Sequence, residues 1–214
     1  MLFAGLNVAT IISNIFVLIV AFTFHEFAHA WVADRFGDDT PRLHGRLTLN
    51  PIVHLDVFGS LMLIVAGFGW AKPVPINPYA LRKHSNAAPM LVALAGPMSN
   101  LLLAVLAAIP FQLGLLQPSF PTGTIPTVSM VLTQFIFINL VLMLFNLIPI
   151  APLDGDKILD YFLPAEWSLR LDAIRPYGMM ILLALIFLGP YIGLDLLGTV
   201  LGPPLRSIFT LLVG

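Results

Sequence analysis

The chain has 214 residues, of which 58% are hydrophobic and only 10% are charged. A water-soluble domain carries about 25% charged residues, so this composition excludes an ordinary soluble protein and indicates one that uses the membrane as its solvent. A formal net charge of −1 gives no reason to expect nucleic acid as a partner, and the absence of cysteine excludes disulfides and thiolate metal ligands.

The first apolar segment, residues 6–33, carries the sequence His25-Glu26-Phe27-Ala28-His29 in its final third. Side chains four residues apart lie on one face of a helix, so His25 and His29 can offer two imidazole nitrogens to one metal ion. Glu26 projects beside them as a candidate general base. The segment lacks a basic leading region and a clear cleavage site, which argues against a removable signal peptide.

The connection that follows shows weak strand signals. Residues 43–49 alternate between apolar and polar side chains, which is the period of a strand. Residues 72–77 are extended by their prolines and fit only an edge strand. We therefore expect a small β-hairpin or sheet at the cytoplasmic mouth of the protein. Residues 55–70 are apolar but short and rich in glycine, which fits a short helix or a re-entrant segment.

Further membrane segments are predicted at residues 87–116 and 128–148, and a last apolar block at 176–188 and 191–213 forms one or two spans. The predicted fold is an all-α polytopic membrane protein, a helical bundle with about four to six membrane segments. We expect one domain over residues 1–214, with a catalytic core at about 6–160 and C-terminal membrane segments at about 176–213.

The basic residues are distributed unevenly among the loops. Two loops contain nearly all of them: Arg35, Arg42, Arg46, Lys72, Arg82 and Lys83 in one, and Lys157, Arg170 and Arg175 in the other. The loop at about 117–127 has no charge. The positive-inside rule places both basic loops in the cytoplasm and the N-terminus outside, as expected for a multi-pass protein of a prokaryotic cytoplasmic membrane.

The third predicted segment ends in a break that precedes a carboxylate. Pro149 and Pro152 interrupt the helix, and such a break at membrane depth is tolerated only in a protein interior or beside a wet cavity. Asp154 follows at once and, in this topology, lies on the same cytoplasmic side as His25 and His29. Two histidines, one carboxylate and an open fourth position make a catalytic zinc site.

Several motifs together resemble the site-2 protease family of intramembrane zinc metalloproteases. They are the HEFAH sequence, Leu94-Ala95-Gly96-Pro97 with Asn100, and Asn146, Pro149 and Leu153-Asp154-Gly155. Residues 45–51 with His54 and Asp56, and residues 69–75, resemble its compact prokaryotic members, which lack a PDZ or CBS module. The resemblance implies one Zn²⁺ held by His25, His29 and Asp154, Glu26 as general base, and cleavage of membrane-spanning or membrane-tethered proteins.

Two asparagines are candidates for contacts with the substrate. Asn146 and Asn100 could each stabilise the oxyanion or grip the substrate backbone. Because a peptide bond inside a helix is shielded, the substrate must unwind, and we expect it to add as a strand beside Val74 and Ile76. The expected partners are this substrate and the lipid bilayer.

A metal-ion transporter that uses the same His and Asp side chains is the alternative function. Transporters usually need several polar stations along their path, whereas the second segment and the final block have almost no ionisable residues apart from Asp195. A structural role is favoured for His54 and Asp56.

Overall fold

The computed structural model describes residues 8–59, 62, 69–120, 125–193 and 195–214. We number its α-helices in chain order: α1 Val8–Arg35, α2 Thr40–Leu43, α3 Pro78–His84, α4 Ala88–Gln112, α5 Val128–Asn146, α6 Asp154–Phe162, α7 Ala165–Ile174, α8 Gly178–Phe187 and α9 Gly202–Val213. Short 3₁₀ segments lie at Pro51–Val53, Arg175–Tyr177 and Gly189–Ile192, and a π-helical segment at Leu196–Leu201.

Three helices of the described part of the chain are long and apolar enough to cross a membrane: α1, α4 and α5. The prediction of four to six membrane segments is therefore too high for this part, because α8 and α9 are too short to count as spans. The predicted segment at residues 55–70 lies mostly outside the described residues.

The three long helices pack against one another. Small residues occupy many of the contacts, among them Ala21, Ala30, Ala104 and Ala108, which are fully or almost fully buried. Small side chains let helix backbones approach closely where lipid gives no hydrophobic incentive to associate. Larger residues such as Leu102 remain exposed on the outer surface, where lipid is their natural neighbour.

The predicted β-hairpin is wrong, since the described residues contain no strand and only one isolated bridge, between Leu55 and Ala71. Leu43 belongs to α2 and is 76% exposed, and Leu49 is 49% exposed. The alternation of residues 43–49 therefore does not mark a buried strand face. Prolines at positions 73 and 75 lack the N–H groups that a ladder needs.

Two helices end in the same glycine-based turn. Gly37 has a φ of +79° and Gly45 a φ of +65°. After α1, Asp38 N donates to Ala33 O, and after α2, Arg46 N donates to Pro41 O. These are Schellman motifs, in which the glycine supplies a left-handed conformation and the next residue closes the turn. In both turns the residue that closes the turn is charged, Asp38 in the first and Arg46 in the second, and its backbone is held by this hydrogen bond.

Candidate metal centre and active site

Three side-chain atoms from two distant helices meet at one point. His25 Nε2 and His29 Nε2 are 3.0 Å apart, and each lies 3.2 Å from Asp154 Oδ2. The two histidines are one turn apart on α1, whereas Asp154 is the first residue of α6. All three side chains are buried. The predicted ligands are thus brought together, in an arrangement suited to a single cation.

The Nδ1 atom of each imidazole ring is held by a hydrogen bond. His29 Nδ1 donates to the carbonyl oxygen of Val92, at 2.7 Å, and a carbonyl can only accept. His25 Nδ1 donates to Asn100 Oδ1 at 2.6 Å. The Asn100 amide cannot be reversed easily, because its Nδ2 donates to Asn139 Oδ1 at 2.8 Å. Both rings are therefore protonated on Nδ1 and carry a lone pair on Nε2.

This protonation pattern fits a zinc ion. Two lone pairs and a carboxylate oxygen point at one another, and Asp154 Oδ2 is buried without a hydrogen-bond donor in the described part of the chain. Such a set of acceptors is costly unless a cation binds among them. Imidazole and carboxylate are ligands that zinc accepts, and outer hydrogen bonds to the ring N–H groups are the usual support for zinc-bound histidines.

At Gly96, helix α4 passes close to the Nε2 side of both imidazole rings. A Cβ atom at this position would lie 2.4 Å from His29 Nε2 and 2.6 Å from His25 Nε2. Only glycine leaves room for both imidazoles. The Leu94-Ala95-Gly96-Pro97 motif therefore permits the close approach between α4 and α1 that the three buried ligands need.

Glu26 lies beside the ligands and shares their cavity. Its side chain is 8% exposed, and its Oε2 accepts a hydrogen bond of 3.2 Å from the backbone N–H of Val74. The cavity has a volume of about 350 Å³. Its other walls are mostly apolar, and they include Phe22, Trp70, Val74, Ile76, Leu142 and Phe145. The Glu26 carboxylate and the three candidate ligands thus line the same mostly apolar cavity.

The two candidate asparagines take different positions. Asn146 lines the cavity at the end of α5, and its Nδ2 donates to the carbonyl of Leu142 at 3.0 Å. Asn100 is fully buried behind His25 and is not part of the cavity wall. The structure therefore places Asn146, but not Asn100, where a substrate could touch it.

His54, Asp56 and Asp195 make local contacts. His54 is fully buried and donates through Nε2 to the carbonyl of Thr48 at 2.8 Å. Asp56 Oδ1 accepts from Gly59 N, and Asp195 Oδ1 accepts from Gly198 N, both at 2.8 Å. None of the three belongs to the metal cluster found among the described residues.

Sequence reasoning did not find the Val92 carbonyl, Asn139 or the Val74 amide. Backbone groups carry no residue-type signal, so Val92 and Val74 could not have been found from the sequence. Asn139 did carry a signal, because an amide in the middle of an apolar helix is costly unless it has a partner.

Comparison with known proteins gives a consistent result. The profile of "Peptidase family M50" matches residues 120–189. The protein named "Putative zinc metalloprotease YwhC" from Bacillus subtilis is 46% identical over 181 residues, covering 82% of this chain and 81% of that protein. The protein named "Putative zinc metalloprotease Rip2" from Mycolicibacterium smegmatis is 33% identical over 186 residues, covering 81% of this chain and 68% of that protein.

The protein of the same name from Mycobacterium tuberculosis is 33% identical over 190 residues, covering 83% of this chain and 69% of that protein. No solved structure gives a significant match. The predicted resemblance and the predicted zinc cofactor are confirmed, and nothing favours the transporter alternative. With its apolar helices and its converging histidines and aspartate, the chain belongs to peptidase family M50, the site-2 proteases, and is an intramembrane zinc metalloprotease.

Proposed function

We propose that His25, His29 and Asp154 hold the zinc ion and that Glu26 is the general base. The enzyme hydrolyses peptide bonds of membrane-spanning or membrane-tethered proteins. The observation that carries this assignment is the convergence of two imidazole lone pairs and a carboxylate oxygen that accepts no hydrogen bond, all beside Glu26. Bound zinc supplies a Lewis acid and lowers the pKa of a coordinated water to about 7.

The protein's own groups perform the proton transfers and the orientation. Glu26 takes a proton from the attacking water and delivers it to the amine of the leaving peptide. The Val74 N–H fixes the orientation of the Glu26 carboxylate. Asn146 is the side chain placed to hold the substrate backbone, whereas we assign Asn100 to holding His25. The cavity walls are mostly apolar, so each of these polar contacts is stronger than it would be in bulk water.

The Glu26→Gln variant tests the catalytic assignment. The amide keeps the size of the side chain but cannot accept the proton, so we expect cleavage to fall by about 100-fold or more while the zinc content stays near one ion per chain. Cleavage is measured on a co-expressed membrane protein, and zinc by elemental analysis of the purified enzyme.

Glu166→Gln is the matched control, because Glu166 is exposed at the start of α7 and does not line the cavity. It should cleave like the parent. Undiminished cleavage by Glu26→Gln would remove Glu26 from the mechanism, and loss of zinc in that variant would show that Glu26 supports the metal instead.

We further propose that the active site opens towards the cytoplasm in a bacterial inner membrane. Support comes from the charge distribution about the three long helices. The connection between α4 and α5 has no charged residue, whereas basic residues precede α4 and follow α5. The metal ligands lie at the α1 and α6 ends that face the basic connections.

Single cysteines test this orientation cleanly, because the chain has none of its own. Lys83 in α3 and Gln117 in the connection after α4 are both exposed, and α4 separates them in the chain. In intact spheroplasts a membrane-impermeant maleimide should label Gln117→Cys and spare Lys83→Cys, and lysis should expose both. The reverse pattern would place the active site on the outer side.

A further inference from the structure

Residues 72–77, which we call the strap, form one wall of the catalytic cavity. Pro73, Val74 and Ile76 line the cavity, and the Val74 N–H points at Glu26. The strap is extended but belongs to no strand in the described structure. Since two of its residues are prolines, it has few donors with which to pair, and its position must be set by other parts of the chain.

Arg46 holds the strap beside Glu26. Its Nη1 donates to the carbonyl of Lys72 at 3.0 Å, and its Nη2 donates to the carbonyl of Pro73 at 3.2 Å. The Arg46 residue is only 5% exposed. Within the described part of the chain no carboxylate forms an ion pair with it. A buried guanidinium fork is therefore committed to two consecutive strap carbonyls, immediately before the amide that contacts Glu26.

Asp38 holds the other end of the strap. Its Oδ2 accepts a hydrogen bond of 2.6 Å from Asn77 N, and its Oδ1 accepts one of 3.0 Å from Thr40 N. Asp38 is fully buried. Asp38 follows the Schellman turn that ends α1, the helix that carries the two histidines, and Arg46 follows the turn that ends α2, which packs against α1.

We propose that Arg46, assisted by Asp38, is a positioning residue that fixes where an extended substrate lies relative to Glu26. The inference rests on the proposed function, in which a substrate segment occupies the cavity beside the strap. Arg46 acts through the strap and not by direct contact with substrate or metal. It fixes the position of the strap relative to Glu26, and therefore which peptide bond of the substrate lies at that carboxylate. Its loss frees the carbonyls of Lys72 and Pro73 and lets the strap shift.

The Arg46→Met variant tests this role, since methionine keeps much of the length and removes every donor. The probe is casein, an unfolded protein that needs no helix unwinding. We expect kcat to fall about 10- to 100-fold, as a misplacement of about 1 Å can do, while zinc content stays unchanged. Cleavage products, mapped by mass spectrometry, should spread from the parent's preferred bonds to neighbouring ones. Arg46→Lys, which keeps donors, should restore part of the preference.

Arg42→Met is the matched control. Arg42 lies four residues earlier, but its guanidinium is exposed and pairs with Asp34 at 2.9 and 2.7 Å. It should leave the cleavage pattern unchanged. Hydrogen exchange supplies a readout that does not depend on activity: amides of the strap should exchange faster in Arg46→Met, while those of α1, α4 and α5 keep their protection.

An unchanged product pattern and unchanged strap exchange in Arg46→Met would overturn the proposal. If that variant fails to fold, Arg46→Lys and Asp38→Asn carry the test, and parental cleavage patterns in both would overturn it equally. A failure of the catalytic assignment is distinguishable, because it would appear as an active Glu26→Gln enzyme whatever Arg46 does.

Discussion

Asn100 illustrates how one buried amide can set the chemistry of His25, a proposed metal ligand. Its Oδ1 accepts the Nδ1 proton of His25, and its Nδ2 donates to Asn139 Oδ1 on α5. Three helices thus cooperate to leave the Nε2 lone pair of His25 free for the ion. The hydrogen bond also raises the electron density of the ring and orients it.

Replacing Asn100 with leucine should weaken zinc binding by about 10- to 100-fold, because the His25 ring loses its outer acceptor. Competition against a zinc chelator of known affinity measures the change. Asn100→Asp is the matched variant, since it keeps an acceptor for Nδ1, and it should bind zinc more tightly than Asn100→Leu. Equal affinity of Asn100→Leu and the parent would show that the amide has no part in orienting His25.

Arg175 connects the three elements that follow α5. Its Nε donates to Asp156 at 2.8 Å, its Nη2 lies 3.1 Å from Asp160 Oδ2, and its Nη1 pairs with Asp172. Burial raises the pKa of Asp160, but hydrogen bonds from Ser168 and Arg175 outweigh that effect and hold the pKa below its usual value. Charged Asp160 therefore stabilises the junction of α6 with α7.

The sign of this effect predicts a pH dependence of stability. Because the pKa of Asp160 is lower in the folded state, its contribution is complete above the unfolded value of about 4 and disappears as the pH falls through the folded value. Asp160→Asn should melt at a lower temperature than the parent at pH 7, and the difference should shrink below about pH 4.

Thermal unfolding in detergent measures this difference between variant and parent at each pH. Asp39→Asn, at an exposed position, is the control and should melt like the parent. A difference between Asp160→Asn and the parent that grows as the pH falls would contradict the assigned direction of the pKa.

The sequence predicts the long helices, which follow from continuous apolar runs. It misses the short elements whose conformation depends on a turn. The apolar runs predict α1, α4 and α5. His25, His29 and Asp154 meet as expected, because helical spacing puts the two histidines on one face and the proline break puts Asp154 at the start of the next helix. The predicted hairpin is wrong because the period-two spacing of the leucines at 43 and 49 also occurs in a one-turn helix followed by a Schellman turn. Gly45 has a positive φ, which a Schellman turn requires and a regular strand does not.

At the scale of the molecule, the site joins α1 to α6, two parts of the chain that are distant in sequence. Binding an ion there stabilises the folded form by about 2.7 kcal/mol when free zinc is 100 times its dissociation constant. We therefore expect a chelator to lower the melting temperature by about 5–10 °C and added zinc to restore it.

Differential scanning fluorimetry of the purified protein, before and after chelation, measures this shift. The His25→Ala variant is the control, because it lacks a ligand and its melting temperature should respond little to either treatment. A parent protein that melts at the same temperature with and without chelator would show that the site does not join the two helices.

The split origin of the ligands also has a consequence for biosynthesis. A nascent chain that has left the ribosome only as far as α5 has two imidazoles at the site and no carboxylate, since Asp154 begins α6. The part of the chain up to the end of α5 therefore contains only two of the three proposed ligands. If Asp154 is the third ligand, we expect hydrolytic activity to arise only after α6 has docked beside the two histidines, so that a partly synthesised chain is inactive.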